Sequence, residues 1–215
     1  MKNYKHIADI DYVDFYSSVF PSEKEAREFI TYVKSLDHPA KVILHQAARM
    51  LYLSEIIYQP GRPALGVLFF LITAEAVAKL VFNYDGEGES KKHVMLFFQE
   101  ICNNEHKILL SHAFKKQTDE TNLVSDNYLT LTETIDFLYD VRCDIVHRGI
   151  YFDNLWLMEK CSDSNLSFEW KNLQFISPNI STDILRKIVL EGAVIGCRIT
   201  LPDGDKYKLD LSETN

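Results

Sequence analysis

No two of the four cysteines, Cys102, Cys143, Cys161 and Cys197, stand close enough in sequence to make a zinc knuckle or a redox pair. Scattered thiols of this kind fit a reducing, cytoplasmic setting better than a disulfide framework. The opening residues, Met1 to Asp9, lack the apolar stretch of a signal peptide. Internal repeats and low-complexity tracts are absent as well. So are a Walker loop, a dinucleotide fingerprint, a His-Glu-x-x-His pair and a Gly-x-Ser-x-Gly elbow. The usual sequence signs of P-loop hydrolysis, dinucleotide redox chemistry, zinc proteolysis and serine hydrolysis are therefore missing.

Positive charge is also in short supply. The net charge is -8 and the isoelectric point about 5.4. Affinity for nucleic acid comes largely from neutralising phosphates, so this acidity argues against tight, non-specific binding. A local basic cleft is still compatible with it, and Lys91, Lys92, Lys115, Lys116, Arg142 and Arg148 are candidates to line one. The competing reading makes each of them an ordinary solvated residue.

What is present is ordinary globular material. Hydrophobic residues make up 47% and charged residues 25% of 215 positions, enough for one domain with a sizeable core. A single run, Ala64 to Phe82, is apolar over nearly the length of a membrane span. Glu75 and Lys79 interrupt it. A helix hydrophobic on almost every side is also what the centre of a bundle requires, so a buried bundle helix is expected and no membrane partner.

The remaining pattern is mostly helical. Ser22 with Glu25 three residues later has the form of a capping box, opening a helix that runs to about Leu36 and stops at Asp37-His38-Pro39. Val42, Ile43, Ala47, Met50, Leu51, Ser54 and Ile57 recur at helical spacing, and Pro63 suits the first turn of the apolar helix. Ser90 is a fair cap for a helix over Lys91 to Cys102, and His106 to Phe114 suggests a shorter one. Lys116 to Asn122 is polar and reads as a mobile connection.

A helix from about Thr130 to Val146 carries Ile135, Leu138, Val141 and Ile145 on one stripe, with Gly149 placed to end it in the left-handed conformation. Leu155 to Met158 and Leu166 to Trp170 suggest short strands. A last helix from Ser181 to Ile195 should bury Ile184, Leu185, Ile188, Val189 and Ala193. The tail, Arg198 to Leu209, reads as a hairpin about Asp203-Gly204.

The chemically informative segment is Leu138-Tyr139-Asp140-Val141-Arg142-Cys143-Asp144-Ile145-Val146-His147-Arg148-Gly149. Arginine offers a planar fork of donors that matches a phosphate, and histidine moves a proton near neutral pH. An aromatic followed by Arg-x4-His and a closing glycine, late in a helical protein, resembles the HEPN superfamily. The wording is most similar to its Apea-like and plasmid-borne branches. A second point of likeness is the apolar helix around Ala74-Glu75, similar to the family's buried helix with a central Ala-Glu.

The resemblance covers roughly residues 40–150 and a C-terminal helix and implies a mainly α fold, a HEPN-like up-and-down helical bundle, to which the tail pattern adds a small C-terminal β appendage. Together they divide the chain into an N-terminal helical extension (1–40), the HEPN-like bundle core (41–150) and a C-terminal segment with a bundle-completing helix and a β-hairpin (151–215). It implies a homodimer, with RNA and an antitoxin or other regulatory protein as candidate partners, and no cofactor. The activity implied is metal-independent endoribonuclease cleavage in stress or conflict defence, with Arg142 and His147 catalytic. Its alternative is a non-catalytic module that binds a partner protein or nucleotide.

Helix geometry places Arg142 and His147 about 140° apart, so one chain does not stack them on a face. Both residues could instead cap the last carbonyls of their helix and meet the negative end of its dipole. Cys143 stands where the family more often has a small polar residue. Its i,i+4 spacing from His147 permits a thiolate role, though a buried, inert cysteine is the simpler reading. With His147 it supplies two zinc ligands where four are needed, so no metal is expected. Asp144 can orient His147 or pair with Arg148. Glu75 needs a partner, because burying a bare carboxylate is costly, and Arg142 is the expected one. His45, His93, His106 and His112 show no spacing that suggests a site.

Overall fold

The computed structural model describes residues 12–57, 63–116, 127–150, 167–178 and 180–213. Eight helices are placed along these segments: α1 (Tyr12–Tyr16), α2 (Glu23–Ser35), α3 (Pro39–Ile57), α4 (Pro63–Val81), α5 (Ser90–Leu96), α6 (Asn104–Ser111), α7 (Leu131–Arg148) and α8 (Thr182–Thr200). Three short strands, β1 (Phe114–Lys116), β2 (Ser167–Trp170) and β3 (Leu173–Pro178), complete a mainly α fold.

Local chemistry accounts for most of the boundaries. Ser22 Oγ accepts from the Glu25 N–H at 3.3 Å, Asn103 Oδ1 from His106 N–H at 2.9 Å, and Ser181 Oγ from Ile184 N–H at 3.1 Å. Each bond satisfies one of the orphan donors at a helix start. Ser90 is not a cap: it is the first residue of α5, and its hydroxyl donates to Glu75 Oε1 at 2.7 Å. α5 continues through a π turn, Phe97–Ile101, that buries Phe97, Phe98 and Ile101.

The apolar helix α4 is the axis of the bundle, with α3, α8, α5 and α7 packed around it. It is long and apolar enough to cross a membrane, and half of that span is buried among its neighbours. Val67, Leu71, Ala74 and Ala78 on α4 are completely enclosed. α8 approaches closely because it carries glycine at the contact. A Cβ at Gly192 would stand 2.5 Å from Phe97 Cζ, and one at Gly196 would stand 2.8 Å from Val77 Cγ1.

The strands form an antiparallel sheet in the order β1-β3-β2. β2 and β3 are a hairpin turning through Lys171 and Asn172, whose φ values of 48° and 63° match a type I′ turn. Trp170 anchors it to α7: Nε1 donates to Asp140 Oδ2 at 2.8 Å, and the ring meets Phe137 edge-on at 5.6 Å.

The C-terminal tail departs from expectation. Arg198 to Thr200 belong to α8, and Pro202 stops the helix, leaving Leu201 extended. Gly204 does turn the chain, with φ +80°, but the return gives a bond from Leu209 N–H to the Arg198 carbonyl and no strand ladder. The hairpin of the C-terminal segment is β2–β3 instead. Ile184, expected inside, is 39% exposed, at the first turn of α8 beyond the edge of the bundle. The short helix expected over His106 to Phe114 ends at Ser111, and Phe114 enters β1. The expectations for residues 117–122 and 155–158 fall outside the described residues.

Candidate functional site

Helix α7 carries the motif and is fixed at both ends. Thr130 Oγ1 accepts from Glu133 N–H at 3.2 Å while Glu133 Oε2 accepts from Thr130 N–H at 2.7 Å, a complete capping box. At the other end Gly149 takes φ 63°, and its N–H bonds the Asp144 carbonyl. Ile135, Leu138, Val141 and Ile145 are buried, as the stripe predicts. Burying that stripe sets the rotation of α7 and turns Arg142 toward α4.

Arg142 Nη2 donates to Glu75 Oε2 at 3.1 Å, the partnership expected from the sequence. The two side chains are 16% and 13% exposed, so the pair lines a wall and is not sealed in the core. Glu75 also receives Lys79 Nζ at 2.9 Å and the Ser90 hydroxyl. Burial pushes the Glu75 carboxyl pKa up. The Ser90 and Lys79 hydrogen bonds and the Arg142 and Lys79 charges outweigh it, and the carboxyl titrates below its ordinary value. Arg142 lies 5.2 Å from the centre of the Tyr139 ring, and its buried Nε–H has no partner among the described residues.

His147 is elsewhere. It is exposed on the last turn of α7 and makes no hydrogen bond or ion pair among the described residues. Asp144 resolves its two options in favour of Arg148, which it meets at 3.0 Å. Cys143 is a half-buried free thiol. The neighbouring Tyr139 hydroxyl is pushed up by burial, with the Arg142 charge opposing and Cys143 adding to the shift. Within one chain, then, Glu75 and Arg142 are brought together, Asp144 and Arg148 form a surface pair, and His147 stands apart. Among the described residues no group of three or more His, Cys, Asp or Glu side chains is placed to hold a metal ion.

The lysines proposed for a basic cleft are mostly neutralised. Lys91 meets Asp136 at 2.9 Å, Lys92 meets Glu89 at 3.0 Å and Lys116 meets Glu133 at 3.1 Å. Among the cations that form no ion pair with a described residue, Lys34 on α2 and Lys41 and Arg49 on α3 line one cleft. A signal was available there: Lys41, His45 and Arg49 repeat at four-residue spacing, one basic stripe on a helix.

No family model matches the chain, and neither a curated protein nor a solved structure matches it closely enough to count as a relative.

Proposed function

We propose that this chain is a HEPN-type factor that cleaves RNA without a metal ion, acting as a toxin-like endoribonuclease in stress or conflict defence. The observation that carries the reading is the setting of Arg142. Its guanidinium is steadied by Glu75 at 3.1 Å, with 16% of the arginine side chain left exposed. A planar fork held in one orientation by a carboxylate and still reached by solvent suits a phosphate. His147, exposed on the last turn of the same helix, supplies the proton carrier.

The pair is incomplete in one chain, since the two side chains point about 140° apart on an ideal helix. A two-fold dimer across the end of α7 supplies the missing half by placing each motif beside its copy. Val146 and Ile150 flank His147 and are 51% and 39% exposed, apolar surface suited to such a contact. In the assembled cleft the RNA 2′-OH gives its proton to His147 and attacks the adjacent phosphorus. The P–O5′ bond breaks as protonated His147, of this motif or its copy, gives a proton to the leaving oxygen, and the products are a 2′,3′-cyclic phosphate and a 5′-OH. Arg142 holds the phosphate and stabilises its growing charge.

A second reading, a non-catalytic module that binds a partner protein or nucleotide, is favoured by one observation. His147 has no described partner to fix its tautomer, because Asp144 is engaged by Arg148. Incubating wild type and His147→Ala with mixed single-stranded RNA in EDTA separates the two. The nuclease reading expects cyclic-phosphate ends from wild type and a loss of about 10²–10⁴-fold in the variant. Equal cleavage by both proteins, or none by either, transfers the assignment to the binding module.

A further inference from the structure

A second cleft lies away from the Arg142 wall, between α1, the end of α2, the first half of α3 and the end of α4. Its volume is about 780 Å³, within the range of small-molecule sites. On α4 it is reached by Leu80, about 140° around the helix from Glu75. The lining is basic: Lys34, Lys41 and Arg49 contribute cations, and His38 and His45 two imidazoles, against a single carboxylate, Asp37.

None of Lys34, Lys41 and Arg49 forms an ion pair among the described residues, in a protein whose net charge is -8. Lys34 Nζ sits 4.5 Å over the Tyr12 ring, and the Tyr12 hydroxyl is hydrogen-bonded to His45 Nδ1. The positive field registers on His45, whose pKa is lowered first by burial and then by the Arg49 and Lys34 charges. The N-terminus of the 19-residue α3 opens at the same place, adding the positive end of its dipole. Three cations share the lining with one carboxylate, Asp37, so the excess positive charge is repulsive and a bound anion lowers that cost.

We propose that this cleft binds a small phosphorylated molecule of about mononucleotide size. Lys34, Lys41 and Arg49 meet the phosphates. Tyr12, Val42 and Leu80 offer an aromatic and apolar wall to the organic portion. The site is independent of the nuclease reading, since it shares no residue with Arg142 and His147.

Thermal shift and calorimetry of the full chain with pyrophosphate, ATP, adenosine and citrate test it. Pyrophosphate and ATP should raise Tm and bind with an affinity that falls as salt is added. ATP binding more tightly than pyrophosphate assigns the organic wall a role, and equal affinity restricts the site to the phosphates. The Lys41→Glu, Arg49→Glu variant changes two exposed side chains and should bind both ligands at least about tenfold more weakly. Lys24→Glu, Lys187→Glu, a charge-matched change at exposed residues outside the cleft, should bind them as wild type does. The His45 ring resonances should move on titration in wild type and not in the double variant. The proposal is overturned if neither phosphate ligand binds, if citrate matches them, or if the charge-matched variant outside the cleft loses as much affinity as the α3 pair.

Discussion

Arg142 on α7 and Glu75 on α4 are joined at 3.1 Å although 67 residues separate them in the chain. The bond crosses the seam between the most apolar helix and the motif helix, so it couples the candidate site to the centre of the bundle. Losing Glu75 would leave Arg142 and Lys79 without their shared anion. A fully buried pair broken in this way costs about 3–5 kcal/mol. Residual exposure lets water replace part of the contact, and Glu75→Ala should cost roughly 1–3 kcal/mol by denaturant unfolding.

The same carboxylate should be visible in the pH dependence of stability. Its folded-state pKa lies below the ordinary 4.5, so its contribution is complete above that value. It is lost as pH falls from 4.5 through the depressed folded pKa. Glu75→Gln should therefore differ from wild type in stability at pH 6 and approach it in strong acid. Parallel curves over the whole acid range would show that Glu75 is not held in its charged form.

Assembly is the next expectation. If the α7 end is the dimer surface, wild type should sediment as a two-fold dimer at tens of micromolar. Ile150→Glu would place a charge in that apolar contact and should give a monomer of unchanged helical content. Cleavage should disappear with the dimer. A strict wild-type monomer would count against a composite cleft.

The glycine contact between α8 and the π turn gives a stability prediction of opposite sign to helix propensity. Gly192→Ala gains about 0.5–1 kcal/mol of propensity. The new Cβ, however, meets the enclosed Phe97 ring at 2.5 Å, and overpacking of this kind costs about 1–3 kcal/mol. The net change should be destabilising, by on the order of 1 kcal/mol, read as a lower midpoint in urea. A stabilised variant would mean that Phe97 has room to move.

Much of the fold was legible because its causes are local. Ser22, Pro63 and Gly149 announce helix ends through capping and fixed φ, and the Ile135 to Ile145 stripe gives the rotation of α7. The Glu75–Arg142 pair was legible too, from the cost of burying an isolated carboxylate. Ser90 departs from its expected capping role because its hydroxyl is drawn to Glu75, a contact that short-range patterns do not contain. The tail hairpin failed for a related reason: the 3.6-residue period of α8 extends through Thr200 and overrides the alternation before Asp203-Gly204. The α3 cleft needs Tyr12, Lys34 and Leu80 from three other helices, and only Lys41, His45 and Arg49 of it form a sequence pattern.

Arg142→Lys distinguishes a positioned fork from a simple positive charge. Lysine keeps the charge opposite Glu75 and so should retain most of the wild-type stability, in contrast to Glu75→Ala. It cannot hold Glu75 and a phosphate at once through a rigid planar group, because its donors converge on one nitrogen. Under the nuclease reading, cleavage should fall by about 10²–10³-fold, the usual range for losing a donor to developing charge. Binding of uncleaved RNA should change far less. If Arg142→Lys cleaves like wild type while His147→Ala is dead, Arg142 contributes only charge and the two-pronged contact is wrong. If Arg142→Lys loses stability as severely as Glu75→Ala, the arginine is chiefly a strut between α4 and α7.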